Sequence, residues 1–202
     1  MNKPKNYDTT QAAGEFEPIK LGGHKMVIKQ VSEKKSRNGL NMLVILFDFA
    51  EGDEQTGYFM KQFENDIRPD KKYPNAGTNY MIIDESVDYG VRNLKTFITC
   101  VEKSNPGFTV KWDDNFGQQF KGKLIGGIFR AEKDWYDGRE IKCHKLAWFR
   151  SIEGIKDADI PEERTTRAYD NHLKEAAIMG ADPAEPDGFM NIPDGVDEEL
   201  PF

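Results

Sequence analysis

The strongest constraint on the fold comes from two tight-turn dipeptides, each placed between segments that alternate apolar and polar residues. Asn38-Gly39 separates residues 24–32 from residues 43–49, and Asp137-Gly138 separates residues 122–133 from residues 139–151. Asn-Gly and Asp-Gly favour short hairpin turns because both adopt positive φ angles at low cost. The chain is therefore expected to contain two antiparallel β-hairpins.

The region between the hairpins is expected to supply a third strand and one long helix. Residues 56–63 would extend the first hairpin to a three-stranded meander, and residues 64–84 form a long loop with a short element near residues 80–83. A helix is expected from Ser86 to the stop signal Asn105-Pro106-Gly107. Its apolar stripe, at the spacing of one helical face, consists of Val87, Val91, Leu94, Ile98 and Val101, widened by Phe97.

The resulting order of elements, β-β-β-α-β-β, is that of a five-stranded oligonucleotide-binding barrel with one packed helix. The expected fold class is accordingly mainly β, or α+β, although other α+β folds share this order. Within the second strand, Asp48 is expected to face away from the core together with Val44 and Leu46. Residues 162–179 could form a second helix, but its apolar face is thin.

Length and composition favour one folded domain with appendages. A chain of 202 residues with 38% hydrophobic content can bury one sizeable core. The expected division is a flexible N-terminal arm at 1–18, the barrel domain at 19–152, a linker and helix at 153–180, and a disordered acidic tail at 181–202. No apolar segment has the length of a membrane span or signal peptide, and Cys100 and Cys143 fit neither a disulfide framework nor a metal knuckle. A cytoplasmic location is therefore expected.

The net charge of −7 is divided unevenly along the chain. Residues 153–202 hold 14 acidic and four basic residues, whereas residues 1–152 hold 21 acidic and 24 basic residues. Residues 181–202 contain seven acids and no Lys or Arg. A mildly basic body with a strongly acidic tail is compatible with nucleic-acid binding, because attraction to phosphate depends on where the charges lie.

Binding of a single strand requires cations for phosphates and exposed aromatic faces for bases, each stacked base contributing about 1–3 kcal/mol. Such residues are interleaved in the second hairpin, and others flank the first turn and the expected third strand. The candidate DNA-binding residues are Lys34, Lys35, Arg37, Phe59, Lys61, Arg130, Lys133, Trp135, Tyr136, Arg139, Lys142, Lys145 and Trp148. Aromatic residues on strands more often belong to the core, because alternate side chains point inward. Trp135 and Tyr136 are the strongest candidates since they adjoin a turn.

The last six residues form a candidate site for a partner protein. They are Asp197, Glu198, Glu199, Leu200, Pro201 and Phe202. A partner with a hydrophobic pocket and a basic rim could seat the Phe202 ring, pair with the terminal carboxylate and attract the acids. The segment resembles the acidic tip of bacterial single-stranded-DNA-binding proteins, which implies recruitment of replication, recombination or repair proteins. The alternative is an ordinary solubilising acidic terminus.

Residues 19–152 also resemble a family of small bacteriophage proteins encoded among replication and recombination functions. The matching segments are Val27-Ile28-Lys29, Ser36-Arg37-Asn38-Gly39, Met42-Leu43-Val44-Ile45-Leu46-Phe47, Phe120-Lys121-Gly122-Lys123 and Tyr136-Asp137-Gly138-Arg139. The resemblance implies an oligonucleotide-binding barrel and a role in binding single-stranded DNA. It assigns no DNA-contacting residue.

Sequence patterns for catalysis are weak. Cys143 and His144 are adjacent on a strand and so point to opposite faces, which does not suit a nucleophile and its base. Asp113-Asp114 could hold a divalent ion, but no second acidic cluster accompanies them. The expectation is a protein that is not an enzyme and binds no cofactor or metal.

The rival hypothesis is a protein-binding adaptor, such as a recombinase loader or modulator, with no DNA affinity of its own. A homo-oligomer would be in keeping with DNA binding through several weak sites.

Overall fold

The computed structural model describes residues 3, 5, 7 and 17–179. Most of the expected N-terminal arm, the acidic tail 181–202 and the tip Asp197–Phe202 lie outside the described residues. The described strands are β1 Gly22–Lys35, β2 Asn41–Phe49, β3 Thr78–Ile82, β4 Leu124–Tyr136, β5 Arg139–Arg150 and β6 Arg164–Thr165. The described α-helices are α1 Tyr58–Asn65, α2 Asp88–Ser104 and α3 Arg167–Met179. Short 3-10 turns occur at Asn75–Gly77, Gln118–Phe120 and Glu153–Ile155.

The strands form one mostly antiparallel sheet in the order β3-β2-β1-β4-β5, with β6 paired in parallel to β4. The long first strand lies at the centre, because its first part pairs with β4 and its second part pairs with β2. A register shift between Ile28 and Gln30 marks a bulge at this transition, and bulges bend and twist a strand. A central β1, with a helix between β3 and β4, is the arrangement of an oligonucleotide-binding fold. The expected α+β fold class is confirmed.

Both expected hairpins are present. Asp137 and Gly138 have φ angles of 51° and 74°, so the β4–β5 turn uses the positive-φ pair for which Asp-Gly is suited. The β1–β2 turn is closed by hydrogen bonds from the Gly39 amide to the Ser36 carbonyl, 2.9 Å, and from the Ser36 amide to the Leu40 carbonyl, 2.8 Å.

The core lies between one face of the sheet and α2, and aromatic rings dominate it. Six phenylalanines are fully buried: Phe47, Phe49, Phe59, Phe97, Phe120 and Phe129. Phe47 contacts Phe59 and Phe129 edge to face, with ring centroids 5.7 and 6.2 Å apart. Each such ring stabilises the fold by about 1.5–3 kcal/mol through burial alone, so this cluster holds the strands and the helices in one unit.

The expected third strand at residues 56–63 is wrong, since residues 58–63 lie in α1. The cause is the buried carboxylate of Asp48, which accepts hydrogen bonds from the amides of Phe59, at 2.9 Å, and Met60, at 3.2 Å. A carboxylate at the first turn of a helix satisfies free N–H groups and complements the helix dipole. Gly57 precedes the helix with a φ of 73°. The third strand of the sheet is instead β3, in the region expected to be a long loop.

The helix α2 confirms the expected core helix, with one correction to its buried stripe. Val91 is 54% exposed, whereas Phe97, Ile98 and Val101 are buried. The helix ends at Ser104. The side-chain amide of the next residue, Asn105, donates to the carbonyls of Val101 and Leu124, and its side-chain oxygen accepts a hydrogen bond from the Leu124 amide. This residue therefore joins the end of α2 to the start of β4.

The C-terminal helix α3 begins later than expected, at Arg167 rather than near Glu162. The preceding residues Arg164 and Thr165 are used as β6, which pairs with Glu132 and Lys133 of β4. No helix among the described residues combines the length and apolar character needed to cross a membrane.

Candidate nucleic-acid interface

A groove lined by aromatic residues lies where β3, α2 and β5 approach one another. Tyr80 on β3, Tyr89 in the first turn of α2 and Trp148 on β5 line this seam groove, and they are 59%, 50% and 38% exposed. The groove encloses about 330 Å³. Within the described residues no backbone pairing joins β3 to β5, so both strands present free edges here. Exposed rings around one groove are a suitable platform for stacking of bases.

Strand register places two of these rings on the surface. Tyr80 lies opposite Val44, and its neighbour Met81 turns to the core face, where it is 9% exposed. Trp148 lies opposite Ile128, next to the bulge at which the β4–β5 register shifts. Phe149, the next residue, is buried. Period-two alternation therefore turns Tyr80 and Trp148 outward, while their neighbours secure the strands to the core.

Two arginines accompany the rings. The Arg150 guanidinium lies 5.6 Å from the centroid of the Trp148 ring, and Arg92, one turn after Tyr89 in α2, lines the groove. Both side chains are exposed, and neither forms an ion pair within the described residues. A guanidinium next to an aromatic face can bind a phosphate while the ring stacks on the adjoining base.

The cations predicted around the first turn also lie on the surface. Lys34, Lys35 and Arg37 are exposed and form no ion pair in the part of the chain that the structure describes. In oligonucleotide-binding folds the loop between β1 and β2 borders the binding face, together with the loop between β4 and β5. These three residues are therefore free to meet phosphates.

The two predicted residues from the expected third strand do not belong to one site. Phe59 is fully buried and contacts Phe47 and Phe49, so its prediction as a base-stacking residue is wrong. The reason is that Asp48 starts a helix here and turns Phe59 into the core. Lys61 is exposed on α1.

The predicted residues of the second hairpin are divided between its two faces. Directly opposed residues share a face, so Arg130 with Lys145 and Tyr136 with Arg139 lie on one side. The pair of Lys133 with Lys142, and Trp135 opposite Glu140, lie on the other side. Consecutive residues on a strand alternate in direction, so Trp135 and Tyr136 cannot stack on the same base.

Several of these side chains already have partners within the protein. Trp135 stacks on His172 of α3, with centroids 3.4 Å apart and an angle of 5° between the rings. Lys133 pairs with Glu163 at 2.9 Å, and that hydrogen bond raises the pKa of Lys133. Thus α3 and the segment before it cover the face of the hairpin that carries Trp135.

The opposite face of the hairpin holds a second internal pair. Lys145 lies 2.6 Å from Glu132, and although burial alone would lower the pKa of Lys145, the hydrogen bond from this pair raises it. On the face that carries Trp135, Lys142 lies 3.8 Å from Glu140. Tyr136, at the turn, is 67% exposed. This part of the hairpin therefore offers fewer free cations than its sequence indicates.

Sequence reasoning missed Tyr80, Tyr89 and Arg92. Tyr80 lay in a region expected to be a loop, so its alternation with Met81 was not used. Tyr89 and Arg92 stand at helical spacing i, i+3 outside the apolar stripe, a signal that could have grouped them on one exposed face of α2.

Comparisons with known proteins add little to this geometry. No model of a known protein family matches the chain, and no curated protein matches it. A solved structure titled "Yeast RPA bound to ssDNA" is similar over 89% of this chain and 97% of that chain, with 12% sequence identity and a TM-score of 0.23. A TM-score at this level is too low for the likeness to bear on fold or function.

Proposed function

We propose that this protein binds single-stranded DNA and catalyses no reaction. The observation that carries the proposal is the seam groove of this oligonucleotide-binding fold, which is lined by three exposed rings and by Arg92. Arg150 lies beside the groove, 5.6 Å from the Trp148 ring, and neither arginine forms an ion pair among the described residues. Bases stack on Tyr80, Tyr89 and Trp148, and phosphates meet Arg92 and Arg150. Stacking accepts every base, so the binding has little sequence preference.

The cations of the first turn extend this interface. Lys34, Lys35 and Arg37 contact the backbone of the strand beyond the groove. Among the described residues, no group of three or more His, Cys, Asp or Glu side chains is placed to hold a metal ion. The resemblance of residues 19–152 to phage proteins supports a role in phage replication or recombination.

The acidic tip supplies the second part of the proposed function. Asp197 to Phe202 recruit replication, recombination or repair proteins to the bound DNA, as their resemblance to the tip of bacterial single-stranded-DNA-binding proteins implies. Because the tail is a polyanion, it also competes with DNA for the cations of the body. Removal of residues 181–202 should therefore raise the affinity for DNA or leave it unchanged. A loss of affinity would contradict this arrangement.

The test is fluorescence anisotropy with a labelled oligo-dT of about 15 nucleotides, within the site size of such folds. The double variant Tyr80→Ala/Trp148→Ala should bind about 30-fold more weakly, since two stacks of at least about 1 kcal/mol each are lost. The matched control is Trp112→Ala, which removes an indole that is 71% exposed outside the groove. Equal affinities of the two variants would refute the seam groove as the site. Absence of binding by the wild-type protein would favour the adaptor hypothesis.

A further inference from the structure

A second groove, lined by different residues from the seam groove, lies between the end of β1, the residues after β3 and the first half of α2. It consists of two adjoining cavities of about 340 and 470 Å³ that share Glu33, Ile83 and Leu94. Ile83 and Leu94 are half-buried and pack against the core. They give the groove an apolar floor.

Trp112 forms one wall of this groove. Its ring stacks on the buried Phe116 ring, with centroids 5.2 Å apart and an angle of 20° between the rings. The indole is nevertheless 71% exposed, the largest exposed fraction among the aromatic side chains within residues 17–179. A tryptophan held by a core residue and open on its other side is the type of anchor that dominates binding energy at protein interfaces.

Carboxylates surround the apolar floor. Five acidic residues line the two cavities: Glu33, Asp84, Glu85, Asp113 and Asp114. None of them forms an ion pair in the described part of the chain. Hydrogen bonds from the Asn41 amide and from Ser86 lower the pKa of Asp84 to about 2, so this carboxylate stays charged. Lys34 is the cation that lines the groove, at its β1 end.

This charge distribution selects the occupant. A polyanion such as DNA is repelled by five carboxylates, and so is the chain's own segment 181–202, which has seven acids and no Lys or Arg. An apolar floor with an acidic rim is complementary to a helix that has an apolar face flanked by Lys or Arg. We propose that the groove formed by Ile83, Leu94 and Trp112 docks a basic amphipathic helix of a partner protein.

The probe is a synthetic helical peptide of about 18 residues, roughly 27 Å long, with leucines on one face and lysines beside them. Two control peptides carry glutamate in place of lysine, or the same residues in an order without an apolar face. Binding to the full chain is followed by anisotropy of the labelled peptide. The lysine peptide should bind, and both control peptides should bind at least about tenfold more weakly. Equal binding of all three, or no binding of the lysine peptide, would overturn the proposal.

Two variants locate the binding. Trp112→Ala should reduce the affinity for the lysine peptide about tenfold. Asp113→Asn/Asp114→Asn should reduce this affinity several-fold at low salt and little at high salt. The matched charge control is Asp157→Asn/Asp159→Asn, which removes two exposed acids outside the groove. Equal effects of the two double variants would overturn the proposal.

The same variants separate this groove from the DNA site. Trp112→Ala should leave the affinity for oligo-dT and the sedimentation coefficient of the free protein unchanged. A fall in DNA affinity would assign the groove to DNA, and a change in sedimentation would assign it to a second copy of the chain. Either result would overturn the proposal, whereas failure of DNA binding in the wild-type protein would leave the peptide result intact.

Discussion

The buried carboxylate of Asp48 is expected to determine whether residues 58–65 form a helix. It accepts hydrogen bonds from three backbone amides, those of Phe49 and Phe59 at 2.9 Å and that of Met60 at 3.2 Å. In Asp48→Asn the remaining oxygen can still accept two of these bonds, but the new NH₂ group faces the Met60 amide. One bond to a charged group is lost and one N–H is left without a partner, which should cost about 2–3 kcal/mol of unfolding free energy.

The larger change Asp48→Ala removes all three bonds and should cost about 4 kcal/mol. Both values are measured by urea titration followed by circular dichroism, with the slope of free energy against urea as a check of two-state behaviour. The matched control is Asp70→Asn, an exposed carboxylate for which a change below about 0.5 kcal/mol is expected. If Asp48→Asn matched this control, the carboxylate would not be what starts α1, and the reasoning would be refuted.

Three further predictions concern pH, backbone packing and salt. Burial alone would raise the pKa of Asp53, but hydrogen bonds from His24 and from the amides of Gln55 and Lys25 lower it below 3.8. The ionised Asp53 therefore stabilises the fold above pH 3.8, and this stabilisation is lost as the pH falls through the lowered pKa. Urea titrations from about pH 5 to pH 3 should show a steeper loss of unfolding free energy for wild type than for Asp53→Asn. Gly90→Ala should lower the thermal midpoint in a melting curve, because a Cβ would lie 2.1 Å from the Asp84 carbonyl oxygen, and such overpacking costs about 1–3 kcal/mol against about 1 kcal/mol gained in helix propensity; an unchanged or higher midpoint would contradict this. Arg92→Ala and Arg150→Ala should each reduce the slope of log affinity for oligo-dT against log salt by about 0.7, and an unchanged slope would remove these residues from the interface.

Local sequence was sufficient to predict a strand or helix where the residues that determine it are neighbours in the chain. Asp137-Gly138 fixes the second hairpin because both residues accept positive φ. The stop at Asn105 was also visible, since Pro106 cannot continue a helix. Together with Asn38-Gly39, which predicts the β1–β2 hairpin, these signals predict β1, β2, β4, β5 and the core helix.

Local sequence was insufficient to predict the structure where a residue distant in the chain determines it. The strand expected at residues 56–63 does not form, because Asp48, from the neighbouring strand β2, accepts hydrogen bonds from the amides of Phe59 and Met60 and starts a helix. Trp135 beside its turn looked like a stacking platform, but His172 from α3 stacks on it. The seam groove brings together residues from β3, α2 and β5, and its composition follows only from their packing.

The most direct test of the account is photochemical cross-linking of the full chain to single-stranded DNA, with the linked residues identified by mass spectrometry. A stacked ring lies against a base and is well placed to form a covalent link on irradiation. We expect cross-links at Tyr80, Tyr89 and Trp148, and none at Trp112. Cross-links concentrated at Trp112, or at Tyr136 without any in the seam groove, would contradict the account.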